Sequence, residues 1–291
     1  MNPLAAVALA AASAILFGIF SVLARRAMTS SSAFAGALIS FGVGLPILAA
    51  LSLVFSSWRA LTLEAALWFA LGGVLAPGMA RCFLFLGIRY IGVGRAMPMA
   101  TITPFLSTLV AILWLGEAPG PAVLAATVFV AAGCVLLSMK PVGDADWRRI
   151  FLLLLAAHAV VMAFSATLRR VALEALPDPI IGATIATAVS IPTLLLFLPF
   201  LPKEERFRVD RRGLRTFLIS GVLNTAAFLS FFWAFQYGEV SVVVPVGYSA
   251  PLFSLLFARL WLKDVERITW QKWTGALLLI SGVATIVWST V

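Results

Sequence analysis

Residues Tyr90–Glu117 read YIGVGRAMPMATITPFLSTLVAILWLGE, and residues Tyr237–Asp264 read YGEVSVVVPVGYSAPLFSLLFARLWLKD. Laid over one another without a gap, the segments agree at ten of twenty-eight positions, among them Tyr90/Tyr237, Pro98/Pro245, Pro104/Pro251, Ser107/Ser254 and Trp114/Trp261. An acid closes both, Glu117 in one and Asp264 in the other. Each copy is apolar and long enough to cross a bilayer, which takes about twenty residues of helix. Such a segment written twice marks an internal duplication of a membrane protein.

Composition agrees. With 62% apolar residues, 11% charged residues and a mean hydropathy of +1.07, a chain of 291 residues is not a water-soluble domain. The period-two alternation of a barrel is absent and long apolar runs recur, so the predicted fold is an all-α integral membrane bundle. Ten transmembrane helices are predicted, at about 3–24, 33–54, 65–88, 95–115, 121–139, 150–170, 179–201, 213–235, 241–262 and 271–290. The first segment, MNPLAAVALAAASAILFGIF, lacks the basic start of a signal peptide and reads as the first helix. Cys82 and Cys134 lie inside apolar runs and read as core residues, not as a disulfide or a metal pair.

The duplication reaches beyond its best-matched helix. Ser21, Arg25 and Arg26 reappear as Ser165, Arg169 and Arg170, and Gly36 with Pro46 as Gly182 with Pro192. The expected organisation is a first repeat over 1–140, a linker over 141–149 and a second repeat over 150–291. Five helices per repeat is an odd number, so the second copy enters the membrane in the opposite sense and the two five-helix repeats are inverted.

On these features the chain resembles the ten-helix, EamA-like branch of the drug/metabolite transporter (DMT) superfamily over essentially its full length. The resemblance implies a central cavity lined by helices one to four and six to nine, with five and ten outside, and alternating access by rocking of the halves. It implies a secondary transporter of a small polar metabolite, an amino acid or organic anion, in the export direction. The alternative it leaves open is a translocase (flippase) for a lipid-linked sugar or head group.

Several residues are candidates for the site. Pro98 and Pro104 free the carbonyls of Gly94 and Ala100, and Pro245 and Pro251 free those of Ser241 and Gly247. A free carbonyl in hydrocarbon needs water or a hydroxyl, so these four prolines read as hinges of cavity-lining helices, against the blander reading of satisfied kinks. Arg81 lies about seven residues inside its helix end, where it holds a substrate anion, snorkels to the interface or pairs with Glu117. The repeat places Asn224 opposite Pro77 and Phe228 opposite Arg81, so that a guanidinium and an amide flank one cavity. His158, the sole histidine, continues through Met162 and Ser165 on one face and is either a proton-coupling group or a hydrogen-bonded core residue. Thr101, Thr103, Tyr248 and Ser249 offer hydroxyls, and Trp233 with Phe231 and Phe235 an aromatic wall.

No acid lies in the middle of any span, which argues against proton-coupled export of cations and favours an anionic or zwitterionic solute. One histidine and few acids assemble no catalytic, metal or phosphate-cradling arrangement, so the chain is read as no enzyme, without cofactor or metal. Of twenty-one basic residues, seventeen fall in or beside the odd-numbered loops, three (Arg59, Arg169, Arg170) on the other side, and Arg81 within the membrane. The positive-inside rule then places the odd loops in the cytoplasm of a cell (inner) membrane and both termini outside, whereas the resemblance implies termini inside. The expected partners are a small-molecule substrate and the lipid bilayer, whose anionic head groups suit the basic segment 203–215. The short loops argue against nucleic acid, and a homodimer is left open.

Overall fold

Each of the ten apolar runs folds as a membrane-length helix because hydrocarbon offers no other partner for backbone N–H and C=O groups. The computed structural model describes residues 2–91, 93–139, 149–201, 206–261 and 269–290. Its spans are Pro3–Ala27, Ala33–Phe55, Leu63–Ile88, Ala96–Leu115, Pro121–Ser138, Arg149–Ala175, Pro179–Leu196, Arg211–Tyr237, Val240–Trp261 and Trp270–Thr290, numbered here as helices one to ten. Side-chain caps fix many of the starts. Asn2, Ser32, Thr62, Asp178 and Asp210 each accept a hydrogen bond from a first-turn N–H. The described residues contain helices and turns and no strand.

The packing has the symmetry of an inverted duplication. Helix one packs on eight and nine, and its counterpart, helix six, packs on three and four. Helix two meets helix seven, and helix five meets helix ten, each pair lying across the pseudo-two-fold axis. The five–ten contact is close: a Cβ on Gly133 would meet the Gly275 carbonyl oxygen at 2.7 Å.

Two expectations need correction. Helix three, predicted as continuous over 65–88, is broken at Ala76, whose φ of −147° and ψ of 130° are extended backbone inside a widened turn over Val74–Met79. The cause is Pro77, which drives the preceding residue out of the α region and supplies no N–H. Helix six, predicted to stop at residue 170, continues as Leu152–Ala175. Arg169, counted with Arg59 and Arg170 on the sparsely charged side of the membrane, is instead buried inside the bundle at 5% exposure.

Helices four and nine are divided at matching places. Val93–Ala100 is followed by Thr103–Val110, and Val240–Gly247 by Ala250–Trp261, so each helix breaks between its two prolines. At the first break the Thr103 hydroxyl donates to the Ala100 carbonyl at 2.8 Å, which is the satisfied-kink alternative for that carbonyl. Asp264, the acid that closes the second copy, lies outside the described residues, as do Lys140, Arg148, Lys203, Lys263 and Arg267 of the charge count and most of the linker.

Candidate functional site

The ends of helices one, two, three, four, five and eight and the middle of helix nine surround a cavity of about 690 Å³ on the side of the odd-numbered loops. Helix five, expected outside, contributes Leu137 and Ser138, and helices six and seven contribute none of the described lining residues. Its wall includes Ser21 and Arg25 of helix one, Ser40 of helix two, Arg81 of helix three, Thr101 of helix four and Pro251 of helix nine. The lining runs out to Met28, Ile88 and Ser138 at the ends of their helices, and Met28 is exposed, so the cavity opens on that face. The rest of the wall is mainly apolar.

The opposite face is closed by bonds between elements far apart in sequence. Gly116, at φ 68°, turns the chain back at the end of helix four. This aims Glu117, whose carboxylate accepts from Val240 N at 2.8 Å and Ser241 N at 2.9 Å. A carboxylate on the free N–H groups of a helix start is favoured by both hydrogen bonding and the helix dipole. Arg170 donates to the Phe235 carbonyl at 2.8 Å, Gln236 Nε2 to the Pro177 carbonyl at 3.0 Å, and Ser56 to Asp178 at 3.0 Å. Behind these bonds Phe69, Phe231, Phe232, Phe235 and the valines from 240 to 246 form an apolar plug.

Between cavity and plug lies the broken third helix, whose released carbonyls are taken by helices six and seven. Ser165 donates to Gly72 O at 2.8 Å and Ala76 O at 3.1 Å, and Ser190 donates to Gly73 O at 3.0 Å. Arg169 Nη2 donates to Ala76 O at 2.8 Å, and His158 Nδ1 bonds Ala80 O at 2.8 Å. The Arg169 guanidinium also sits 5.2 and 5.3 Å from the Phe228 and Phe232 ring centres, a cation–π arrangement that helps offset its burial. The stripe His158–Met162–Ser165 therefore serves the break through its first and last members, and none of the three lines the cavity.

Of the residues singled out by sequence, Arg81, Thr101 and Pro251 line the cavity together. Arg81 lies 4.9 Å from the Phe41 ring centre and forms no ion pair among the described residues; Glu117 is engaged at the closed face instead. Asn224 is buried with its Oδ1 unpartnered, away from the wall. Thr103 and Tyr248 lie side by side and are not among the lining residues. Ser249 is buried and Trp233 stacks on Tyr237 at 6.1 Å, both off the wall. Pro98, Pro104 and Pro245 sit at the breaks without reaching it. Sequence reasoning missed Ser40 and the cavity-facing roles of Ser21 and Arg25.

The repeat-related residues are in different states on the two faces. Ser165 bonds across to helix three, whereas Ser21 turns back to the Phe17 carbonyl of its own helix at 2.7 Å and faces the cavity. Arg169 is buried in the closed region, whereas Arg25 lines the open one.

The profile of the EamA-like transporter family matches residues 4–139 and 149–288. A solved crystal structure of a protein shares the fold, with a TM-score of 0.80 at 19% identity, over 98% of this chain and 97% of the other. No curated protein sequence matches the chain. With ten membrane-length helices and a family match over both repeats, the protein belongs to the EamA-like transporter family of the DMT superfamily, as a multi-pass membrane transporter.

Proposed function

We propose that the protein exports a small polar metabolite, an amino acid or organic anion, across a cell membrane by alternating access. The observation that carries this reading is the unequal state of equivalent residues: Ser21 and Arg25 face an open cavity while Ser165 and Arg169 are locked against a broken helix. In an inverted duplication the two halves exchange conformations on switching. The opposite state then frees Ser165 and Arg169 to face solute and closes the protein around Ser21 and Arg25. The divided helices four and nine supply the bending points, at Thr101–Ile102 and Tyr248–Ser249.

The direction follows from charge. Once Arg169 is placed in the interior, Arg59 and Arg170 are what remains on the sparsely charged side of the original count of three. The basic face, where the cavity opens, is then cytoplasmic, and the termini are outside. A cavity open to the cytoplasm is loaded from the side where a metabolite to be exported is made. Arg81, in the cavity, meets the anionic group of the solute, and Thr101 adds a hydroxyl.

The test is solute counterflow in proteoliposomes, with single cysteines at Ser21 and Val243 in a Cys82→Ala/Cys134→Ala background. Transport, with saturating solute exchanging which of the two positions reacts with a membrane-impermeant maleimide, is the expected result. Labelling at Ser21→Cys that never changes would overturn alternating access.

A further inference from the structure

We propose that the cavity selects anions with an apolar body and no ammonium group, and that Arg81 and Ser40 are its specificity-determining residues. This rests on the transporter reading and narrows it. Ser40 is one of the lining residues, is 1% exposed, and its Oγ is buried with no hydrogen-bond partner among the described residues. A hydroxyl on a membrane helix ordinarily bonds back to a carbonyl one turn earlier, as Ser21, Ser107, Thr127 and Thr225 do here. A buried hydroxyl left unsatisfied costs free energy unless a ligand supplies the bond. Arg81, on the same wall, likewise lacks a carboxylate among the described residues.

The duplication shows that neither group is needed to build the scaffold. At the positions matching Gly36/Gly182 and Pro77/Asn224, the counterpart of Ser40 is Ala186 and that of Arg81 is Phe228. The second repeat therefore packs with an apolar residue where the first carries a polar one. The surrounding wall, with Phe20, Leu84, Phe85, Met97, Phe217 and Leu255, suits a hydrocarbon or aromatic body. Among the described lining residues there is no acid. An ammonium group there meets repulsion from the Arg81 guanidinium, and none of the described lining residues supplies a carboxylate.

Phenylpropionate, phenylalanine and phenethylamine share one body and differ in charge, so their affinities for the purified full chain, by titration calorimetry, separate the terms. The acid is expected to bind about tenfold or more tightly than the zwitterion, and the amine weakest. Arg81→Gln is expected to abolish binding of the acid, Arg81→Lys to retain part of it, and Ser40→Ala to weaken it several-fold. Unchanged circular dichroism and ligand-free melting temperature of the variants serve as the folding control. Phenylalanine binding as tightly as the acid, no binding of the acid, or wild-type affinity in Ser40→Ala with Arg81→Gln overturns the proposal. Binding of the acid without counterflow overturns the transporter reading and leaves the selectivity standing.

Discussion

The guanidinium of Arg169 donates to the carbonyl oxygen of Ala76 at 2.8 Å, from helix six to the point where Pro77 interrupts helix three. The ψ of 130° at Ala76 turns that oxygen off the helix axis, and a charged donor in the bundle interior satisfies it. Arg169→Met keeps much of the apolar stem and removes the charged donor, leaving Ser165 as the other donor to Ala76 O, so it is expected to cost up to about 1.5–3 kcal/mol of stability, the usual worth of a hydrogen bond to a charged group. Pro77→Ala lets residue 76 return to helical geometry, where the carbonyl no longer calls for Arg169. In a double-mutant cycle read by unfolding in mixed micelles, the loss from Arg169→Met should shrink in the Pro77→Ala background. Strictly additive losses would remove the causal link between the break and the buried arginine.

Glu117 joins the end of helix four to the start of helix nine through two backbone N–H groups. Gln at 117 offers a single acceptor oxygen without charge, and Ala offers none. Maleimide labelling of Val243→Cys, a position wholly buried in the closed plug, is expected to quicken in the order Glu117, Glu117→Gln, Glu117→Ala. The background for this measurement replaces Cys82 and Cys134. Equal labelling in all three would mean that the apolar plug alone holds the face shut.

Asp210, outside the membrane at the start of helix eight, accepts from Gly213 N at 2.8 Å and from the Ser30 and Ser31 hydroxyls at 2.9 and 3.0 Å. These bonds, the Gly213 N–H foremost, favour the carboxylate and hold its pKa below the usual range. A depressed pKa contributes stability that is present above the unfolded-state value and lost as pH falls through the folded-state value. The link between the loop after helix one and the start of helix eight is therefore expected to weaken below about pH 4. Asp210→Asn should flatten the melting-temperature profile between about pH 6 and pH 3; an unchanged slope assigns the acid sensitivity to other carboxylates.

How much of this was legible depends on whether the signal was carried by a run of residues or by one atom. The ten helices and their duplication rest on long apolar runs and a repeated proline pair, which constrain many residues at once. The breaks in helices four and nine follow from those prolines, while the Ala100 carbonyl is taken by Thr103, the satisfied-kink alternative, which spacing alone did not decide. Pro77 carried the same signal in Ala-Pro-Gly, yet it stands alone in the first repeat, with Asn224 as its counterpart, so the duplication gave it no emphasis. Arg169 was misplaced because helix six was expected to end at 170, and the Ala76 carbonyl with the Phe228 and Phe232 rings accounts for its depth. Ser40 has no sequence signal: a single hydroxyl in an apolar helix becomes informative once its missing partner is seen.

The Ser21/Ser165 pair gives the sharpest test of the unequal halves. Ser165 bonds Gly72 and Ala76 across a helix interface, whereas Ser21 bonds only Phe17 on its own helix. Ser165→Ala leaves two buried carbonyls with one donor fewer and is expected to destabilise the present state by about 1 kcal/mol, lowering the melting temperature by a few degrees. Ser21→Ala removes a bond that competes with one already made inside the helix, so its melting temperature should stay within about a degree of wild type. The transport consequence runs the other way. If Ser21 takes over the cross-helix role in the opposite state, Ser21→Ala is the variant that slows return to the open-to-basic-face conformation least and formation of the opposite one most. Stopped-flow fluorescence of a reporter at the cavity mouth measures both rates, and identical effects of the two substitutions on them would show that the serines do not exchange roles.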